Sequence, residues 1–358
     1  MDKEIHKNRI KRAQALMQLN NVDLLFIEPC TSMLYFSGIK FDPTERLTAL
    51  IIPQEANPFV LCPAFEEERV RKNTKIDEVF VWEEADNPFN VLSDTLSKMG
   101  ITTGVMAVEP SVRYFVFTQL KEKFGHFTFI NGDIISNEVR MIKTETELQF
   151  IREATKLTDE KIANAIKDVK VGMTELELST KIGDALVQFG ENTAIPHANA
   201  SKRKLKEGDV IIIDASHSYE GFMSDLTRTF YFGEPTAEMC KIHSIIHDAQ
   251  SAAIDTIKAG MTCESIDKAA RSIIEKAGYG KYFIHRVGHS LGMDVHEPPY
   301  LVSGNRRRLE SGMVFTVEPG IYLPNKFGIR LEDDVAVTDD GCELLSTRVK
   351  EMKIIEVR

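Results

Sequence analysis

The sequence predicts an α+β protein in two parts, a smaller α/β layer domain followed by a larger α+β domain. Three observations predict it. Residues 1–137 alternate helical and extended patterns. Thr144, with Glu147 three places on, makes a capping-box signature at the head of a long amphipathic segment. Beyond it, apolar extended runs come singly or in pairs rather than in strict strand–helix–strand alternation, which points to antiparallel pairing. The domains are expected at 1–137 and 138–358, each long enough for its own core.

In the first part, Ile10, Ala13, Leu16 and Met17 recur at helical spacing, and Asn20-Asn21 stops that helix. Extended runs follow at 22–27, 47–52, 59–62, 78–82, 105–109 and 127–130, with helical patterns at 65–72 and 91–99. No G-x-G-x-x-G or Walker loop occurs, so a nucleotide-binding role has no support. In the second part Leu148, Ile151, Ala154 and Leu157 mark one stripe of the opening helix. Helices are expected at 144–168, 174–189, 236–258 and 264–277, and strands at 209–214, 223–232, 313–318 and 328–337.

Composition excludes several classes. A net charge of −10 argues against a nucleic-acid partner, because phosphate binding needs clustered Lys and Arg. The five cysteines (Cys30, Cys62, Cys240, Cys263, Cys342) are widely spaced without a C-x-x-C pair, which reads as reduced thiols rather than a disulfide or zinc framework. The charged N-terminus has no apolar signal region and no apolar stretch is long enough to span a bilayer, so a cytoplasmic protein without membrane contact is expected.

Carboxylates recur where apolar runs end. Asp214 closes Val210-Ile211-Ile212-Ile213, and a carboxylate there must be hydrogen-bonded, paired or metal-bound, because desolvating it alone is costly. Taken singly it reads as a turn former. Asp225 lies eleven residues on, and strand alternation puts it on one face with Thr227 and Thr229. Glu318 follows Met313-Val314-Phe315-Thr316-Val317 and precedes Pro319-Gly320, and Arg330, Glu332 and Asp334 share a strand face. A solvated strand face accounts for one such acid, but poorly for the repetition. His285, His289 and His296 fall within twelve residues among glycines and prolines, as in a loop shaped around a site. His243 and His247 have zinc-compatible spacing, but without the Glu of H-E-x-x-H they read as part of an ordinary helix. Four carboxylates and one imidazole make a hard, oxygen-rich donor set suited to Mn²⁺, Co²⁺, Fe²⁺ or Zn²⁺. Four adjacent carboxylates cannot all ionise without compensation, which two divalent cations supply. Paired metals about 3.5–4 Å apart can share one water and lower its pKa.

This ordered set resembles the creatinase/aminopeptidase P/prolidase/methionine aminopeptidase family, whose catalytic domain has the pita-bread fold. The residues that carry the resemblance are Ile213-Asp214, Ser224-Asp225-Leu226-Thr227-Arg228, Gly288-His289-Ser290-Leu291-Gly292, Val317-Glu318-Pro319-Gly320 and Arg330-Leu331-Glu332-Asp333. All five metal-ligand positions hold the expected residue type in the expected order, and residues 1–137 resemble the family's creatinase-like N-terminal domain in layout.

The resemblance implies two divalent metal ions, manganese foremost with Co²⁺, Zn²⁺ or Fe²⁺ as substitutes, held by Asp214, Asp225, His289, Glu318 and Glu332. It implies attack on the peptide carbonyl by a metal-bridging hydroxide, with Glu318 also relaying a proton and His296 stabilising the oxyanion. His197 and His285 would orient the substrate, with Arg330 assisting nearby. Methionine aminopeptidases lack the N-terminal domain, and creatinase works without metal. The expected activity is therefore that of an Xaa-Pro dipeptidase, a homodimer acting on short peptides with proline in second place. Aminopeptidase P activity on longer peptides is the alternative, and an inactive pita-bread peptide-binding protein is the rival from another class. A calcium clamp is disfavoured because imidazole is a poor calcium ligand. The X-Pro bond is a tertiary amide without N–H, so a site that grips only the carbonyl can accept it. One departure stands out: the segment before Ile195-Pro196-His197 is short, which predicts a pocket wall without the extra strand that relatives carry there.

Overall fold

Helix α1 (Lys3–Leu19) opens the computed structural model, which describes residues 3–183, 185–348 and 351–357; Met1 and Asp2 of the charged N-terminal run lie outside them. The chain divides into two units, Met1–Arg140 and Met141–Arg358. The division falls near the end of a helix (Asp133–Met141) that the sequence reading did not foresee.

In the first unit α1 buries Ile10, Ala13 and Met17, as their spacing predicts. Strands β1 (Leu24–Ile27), β2 (Ala49–Pro53), β3 (Phe59–Pro63), β4 (Glu78–Trp82), β5 (Gly104–Val108) and β6 (Phe127–Asn131) form one mixed sheet in the order β4-β3-β2-β1-β5-β6. Helices α2 (Thr31–Ser37), α3 (Glu67–Asn73), α4 (Pro88–Lys98), α5 (Tyr114–Lys123) and α6 (Asp133–Met141) complete the α/β layers. Phe26, Phe59, Leu61, Leu92 and Leu120 belong to its core.

The second unit begins with α7 (Glu145–Ala165), whose capping box is formed as predicted: Glu147 N–H donates to Thr144 Oγ1 and Thr144 N–H to Glu147 Oε2. Its buried stripe runs through Ile151, Ala154, Thr155, Thr158 and Ile162, while Leu148 and Leu157 sit half-buried at its edges. Helix α8 (Glu175–Ile182) stops far short of the expected 189. Gly183, at φ +106°, takes the left-handed conformation that ends it, and Leu186–Phe189 becomes strand β7. The strand thus replaces the end of the expected helix, and the short stretch that follows it, Gly190–Ala194, is a 3-10 turn.

Strand β8 (Val210–Ala215) lies between β7 and β11 (Leu226–Phe232), both antiparallel to it, and β19 (Lys353–Ile355) joins β11 in parallel. The small hairpin β9 (Ser218–Tyr219) and β10 (Phe222–Met223) interrupts the single strand expected over 223–232. Helices α9 (Ala237–Thr256) and α10 (Cys263–Lys276) pack into the main core of this unit with Val317, Ile321, Ile329 and Val335. A second sheet orders β13 (Glu297–Leu301), β12 (Gly288–Ser290), β14 (Val314–Val317), β17 (Asp333–Val337) and β18 (Cys342–Leu344). The strand expected at 328–337 is two strands: β16 (Phe327–Arg330) pairs with β15 (Gly320–Leu323), and β17 pairs with β14. The turn at Leu331-Glu332 separates them. All five cysteines are free. Among the described residues no helix is long and apolar enough to cross a membrane.

Candidate metal centre

Asp214 is the fifth residue of β8, and Asp225 immediately precedes β11. The β8–β11 register, Thr227 opposite Asp214, brings the two aspartates to the same end of the pair. Thr227 Oγ1 donates to Glu332 Oε2 at 2.6 Å and its carbonyl accepts from Glu332 N–H at 3.2 Å, so β11 holds the turn that carries the third acid. On the opposite face, Arg228 grips the Glu332 carbonyl at 2.5 Å and Asp159 at 2.9 Å. Glu318 immediately follows β14, with its N–H bonded to the Val287 carbonyl at 2.8 Å. His289 lies in β12, where its N–H reaches Thr316 Oγ1. Gly288 makes that approach possible, because any Cβ there would collide with the Thr316 carbonyl.

The donor atoms converge. Asp214, Asp225 and Glu332 offer ligand atoms all within 4.8 Å of one another; so do His289, Glu318 and Glu332, and so do Asp225, His289 and His296. His289 Nε2 lies 3.4 Å from Glu318 Oε1 and 3.6 Å from Asp225 Oδ2. Its Nδ1–H donates to the Ser290 carbonyl at 3.1 Å, which leaves the Nε2 lone pair facing the carboxylates. These side chains share a cavity of about 660 Å³ with His197, His285, Arg286 and His296.

Burial governs the protonation states. It lowers the His289 pKa to about 3, with His296 adding to the effect, so the imidazole is neutral as a metal ligand must be. Burial raises Glu318 to about 7, opposed by Arg330 and reinforced by Asp214. Asp225 and Glu332 are pushed well above the carboxylate range by burial and by their acidic neighbours. Anions crowded this way need a compensating charge. The Arg330 guanidinium supplies part of it, donating to Asp214 Oδ2 at 2.7 Å while also reaching Thr227 Oγ1, Tyr322 OH and the Pro196 carbonyl. Divalent cations fit the remainder: the set is oxygen-rich, contains one oriented imidazole, and opens onto a cavity.

The chain belongs to metallopeptidase family M24. The model of that family matches residues 149–339, and that of the creatinase/prolidase N-terminal domain matches residues 9–142. An "Uncharacterized peptidase" of Staphylococcus epidermidis is 36% identical over 94% of this chain and 98% of its own. Among solved structures, dipeptidase PepE from Mycobacterium ulcerans superposes with a TM-score of 0.94 at 31% identity, covering 100% of both chains. A recombinant prolidase from Thermococcus sibiricus gives 0.90 at 33% identity over 99% of this chain and 100% of that one. The α+β architecture of this M24 chain is thus the pita-bread catalytic fold behind a creatinase-like N-terminal domain. M24 enzymes are metallopeptidases that use divalent metals, and the clusters described above are of the kind that binds them.

The histidines differ in what they offer. His197 and His296 are exposed in the cavity. His285 is not free: it bonds the Arg286 carbonyl through Nδ1 at 2.7 Å and Tyr322 OH through Nε2 at 2.9 Å. Burial holds its pKa near 4. His243 lies in the core against Tyr231 OH at 2.9 Å and belongs to none of the metal-binding clusters among the described residues. Sequence reasoning missed Thr227 and Tyr322 as partners of the acids and of Arg330. For Thr227 the signal was available, since it shares a strand face with Asp225. Tyr322 had none, because only the β15–β16 hairpin folds it back onto Arg330.

Proposed function

We propose that this chain is an Xaa-Pro dipeptidase, with Asp214, Asp225, His289, Glu318 and Glu332 holding two divalent metal ions, Mn²⁺ foremost. The observation that carries the reading is that all five donors, from separate segments, meet in overlapping groups at one cavity. The likeness to a solved dipeptidase and a solved prolidase supports the substrate class. When bound, such ions lower the pKa of a water and polarise a peptide carbonyl.

The side chains provide the rest. Glu318, which lines the cavity beside the other acids, takes a proton and returns it to the leaving proline nitrogen. His296 faces the developing oxyanion, and His197 steers the peptide from the cavity edge. His285 acts through Tyr322 and Arg330, because both of its nitrogens are committed. None of these groups requires an N–H from the scissile amide, which an X-Pro bond lacks.

The test is incubation of the Mn²⁺-loaded protein with Ala-Pro, Ala-Pro-Gly and Ala-Ala, following products by mass spectrometry. Cleavage of Ala-Pro alone is expected. Cleavage of Ala-Pro-Gly would make it an aminopeptidase P. Bound metal without cleavage of any X-Pro peptide would leave a binding protein.

A further inference from the structure

Lys143 lies between the stretches matched by the two family models, at 9–142 and 149–339. Its side chain is 1% exposed, and Nζ sits 3.6 Å from Glu297 Oε2 and 3.4 Å from Ser290 Oγ. The backbone holds it there: Lys143 N–H donates to the Gly312 carbonyl at 2.9 Å, and a Cβ on Gly312 would come within 2.9 Å of the Lys143 carbonyl oxygen. A buried ammonium is costly to keep without partners that compensate it.

Ser290 and Glu297 each adjoin a site histidine. Ser290 follows His289, and its carbonyl accepts the Nδ1–H that fixes the His289 ring. Glu297 follows His296, and its Oε1 accepts the Asp294 N–H at 3.1 Å, tying down the loop that carries His296. Room for the Glu297 carboxylate comes from Gly292, where a Cβ would lie 2.6 Å from both oxygens. The β12–β13 ladder breaks at this point: His289 pairs with Tyr300, but Ser290 pairs with Glu297, with the register shifting between them. A regular ladder would set the spacing of the two histidines; here it does not.

We propose that Lys143 is a positioning residue of the metal centre, clamping Ser290 to Glu297 across the broken ladder and so fixing the His289 ring and its distance from His296. The inference rests on His289 being a metal ligand. Partners one step behind a ligand commonly change metal affinity or activity about 10–100-fold when removed.

The test pairs Lys143→Met with Glu297→Gln, which removes the two facing charges together. Mn²⁺ affinity is measured by titration calorimetry, and kcat and KM on Ala-Pro at saturating metal. The double variant is expected to weaken Mn²⁺ binding about tenfold or more and to lower kcat by a similar factor while KM changes less than about twofold. A double variant with a lowered Tm but native affinity and kcat means a merely structural clamp and overturns the proposal. Should the double variant not fold, Ser290→Ala, which leaves the Lys143–Glu297 pair intact, is expected to weaken Mn²⁺ binding severalfold; native affinity there overturns it equally. A wild-type chain that binds no Mn²⁺ sinks the metal-site reading itself, whereas wild-type binding matched by the variants sinks only the clamp.

Discussion

Arg330 Nη2 donates to Asp214 Oδ2 at 2.7 Å, and through this contact the end of β16 fixes an acid on β8. The guanidinium is 1% exposed and spends its other nitrogens on Thr227, Tyr322 and Pro196. Lysine cannot reproduce that fork. Arg330→Lys is therefore expected to weaken metal binding by about one to two orders of magnitude. Arg330→Met should in addition cost about 3 kcal/mol of stability, the low end for a broken buried pair, because the Asp214 side chain keeps 17% exposure. Native metal affinity in Arg330→Lys, by calorimetry, would show that Asp214 is oriented without it.

Removing metal should act on the fold as well as on turnover. Without cations the buried acids repel one another, and burial already drives Asp225 and Glu332 towards their neutral forms. Chelation is expected to abolish hydrolysis and to lower Tm, and added Mn²⁺ to restore both. At a hundred times Kd a single bound ion contributes about 2.7 kcal/mol. A thermal scan unchanged by chelator and by Mn²⁺ would contradict this.

Metal affinity should rise with pH through neutrality. Glu318 titrates near 7 in the metal-free chain, above an ordinary glutamate, so it carries a proton below that pH. A cation must displace that proton. Apparent Mn²⁺ affinity is thus expected to fall as pH drops from 8 to 6, with proton release on binding. Titration calorimetry in two buffers of different ionisation enthalpy counts those protons; a count of zero at pH 6 refutes the assignment.

A separate pH effect concerns His243. Burial depresses its pKa to about 4, whereas the unfolded chain titrates near 6.5. Above pH 6.5 both states are neutral there and the group is silent. Between 6.5 and about 4 only the unfolded state takes the proton, so stability declines as pH falls, by up to about 3 kcal/mol in total. His243→Gln keeps a donor for Tyr231 and removes the titration. Urea midpoints at pH 7 and pH 5 should separate more for the wild type than for this variant; equal separations would exclude the role.

The convergence of acids at the candidate site was legible because carboxylates that end apolar runs are few and expensive. Asp214 and Glu318 declare themselves this way, whereas the single strand face expected to carry Arg330, Glu332 and Asp334 does not form, because the extended run breaks at Leu331-Glu332. What escaped was decided by tertiary geometry. The run 186–189 continues the apolar spacing of α8, and only the left-handed Gly183 separates strand from helix. The break at Leu331-Glu332 leaves no composition signal, since charged and apolar residues are mixed on both sides of it and both flanks are extended; it exists because β16 and β17 answer to different partners. His285 reads in sequence as one more site imidazole, and only the hairpin that delivers Tyr322 shows its nitrogens to be occupied.

Strand β19 has a consequence for handling the protein. By pairing Lys353–Ile355 alongside Phe230–Phe232 it covers what would otherwise be the bare flank of β11, the strand whose Thr227 and Thr229 hold Glu332 and the Arg330 carbonyl. Trimming the chain ahead of Lys353, or loading that tail with a bulky fusion, would expose a ready template for intermolecular pairing. Preparations altered there are expected to lose catalytic competence through clumping, even though every candidate ligand remains in place.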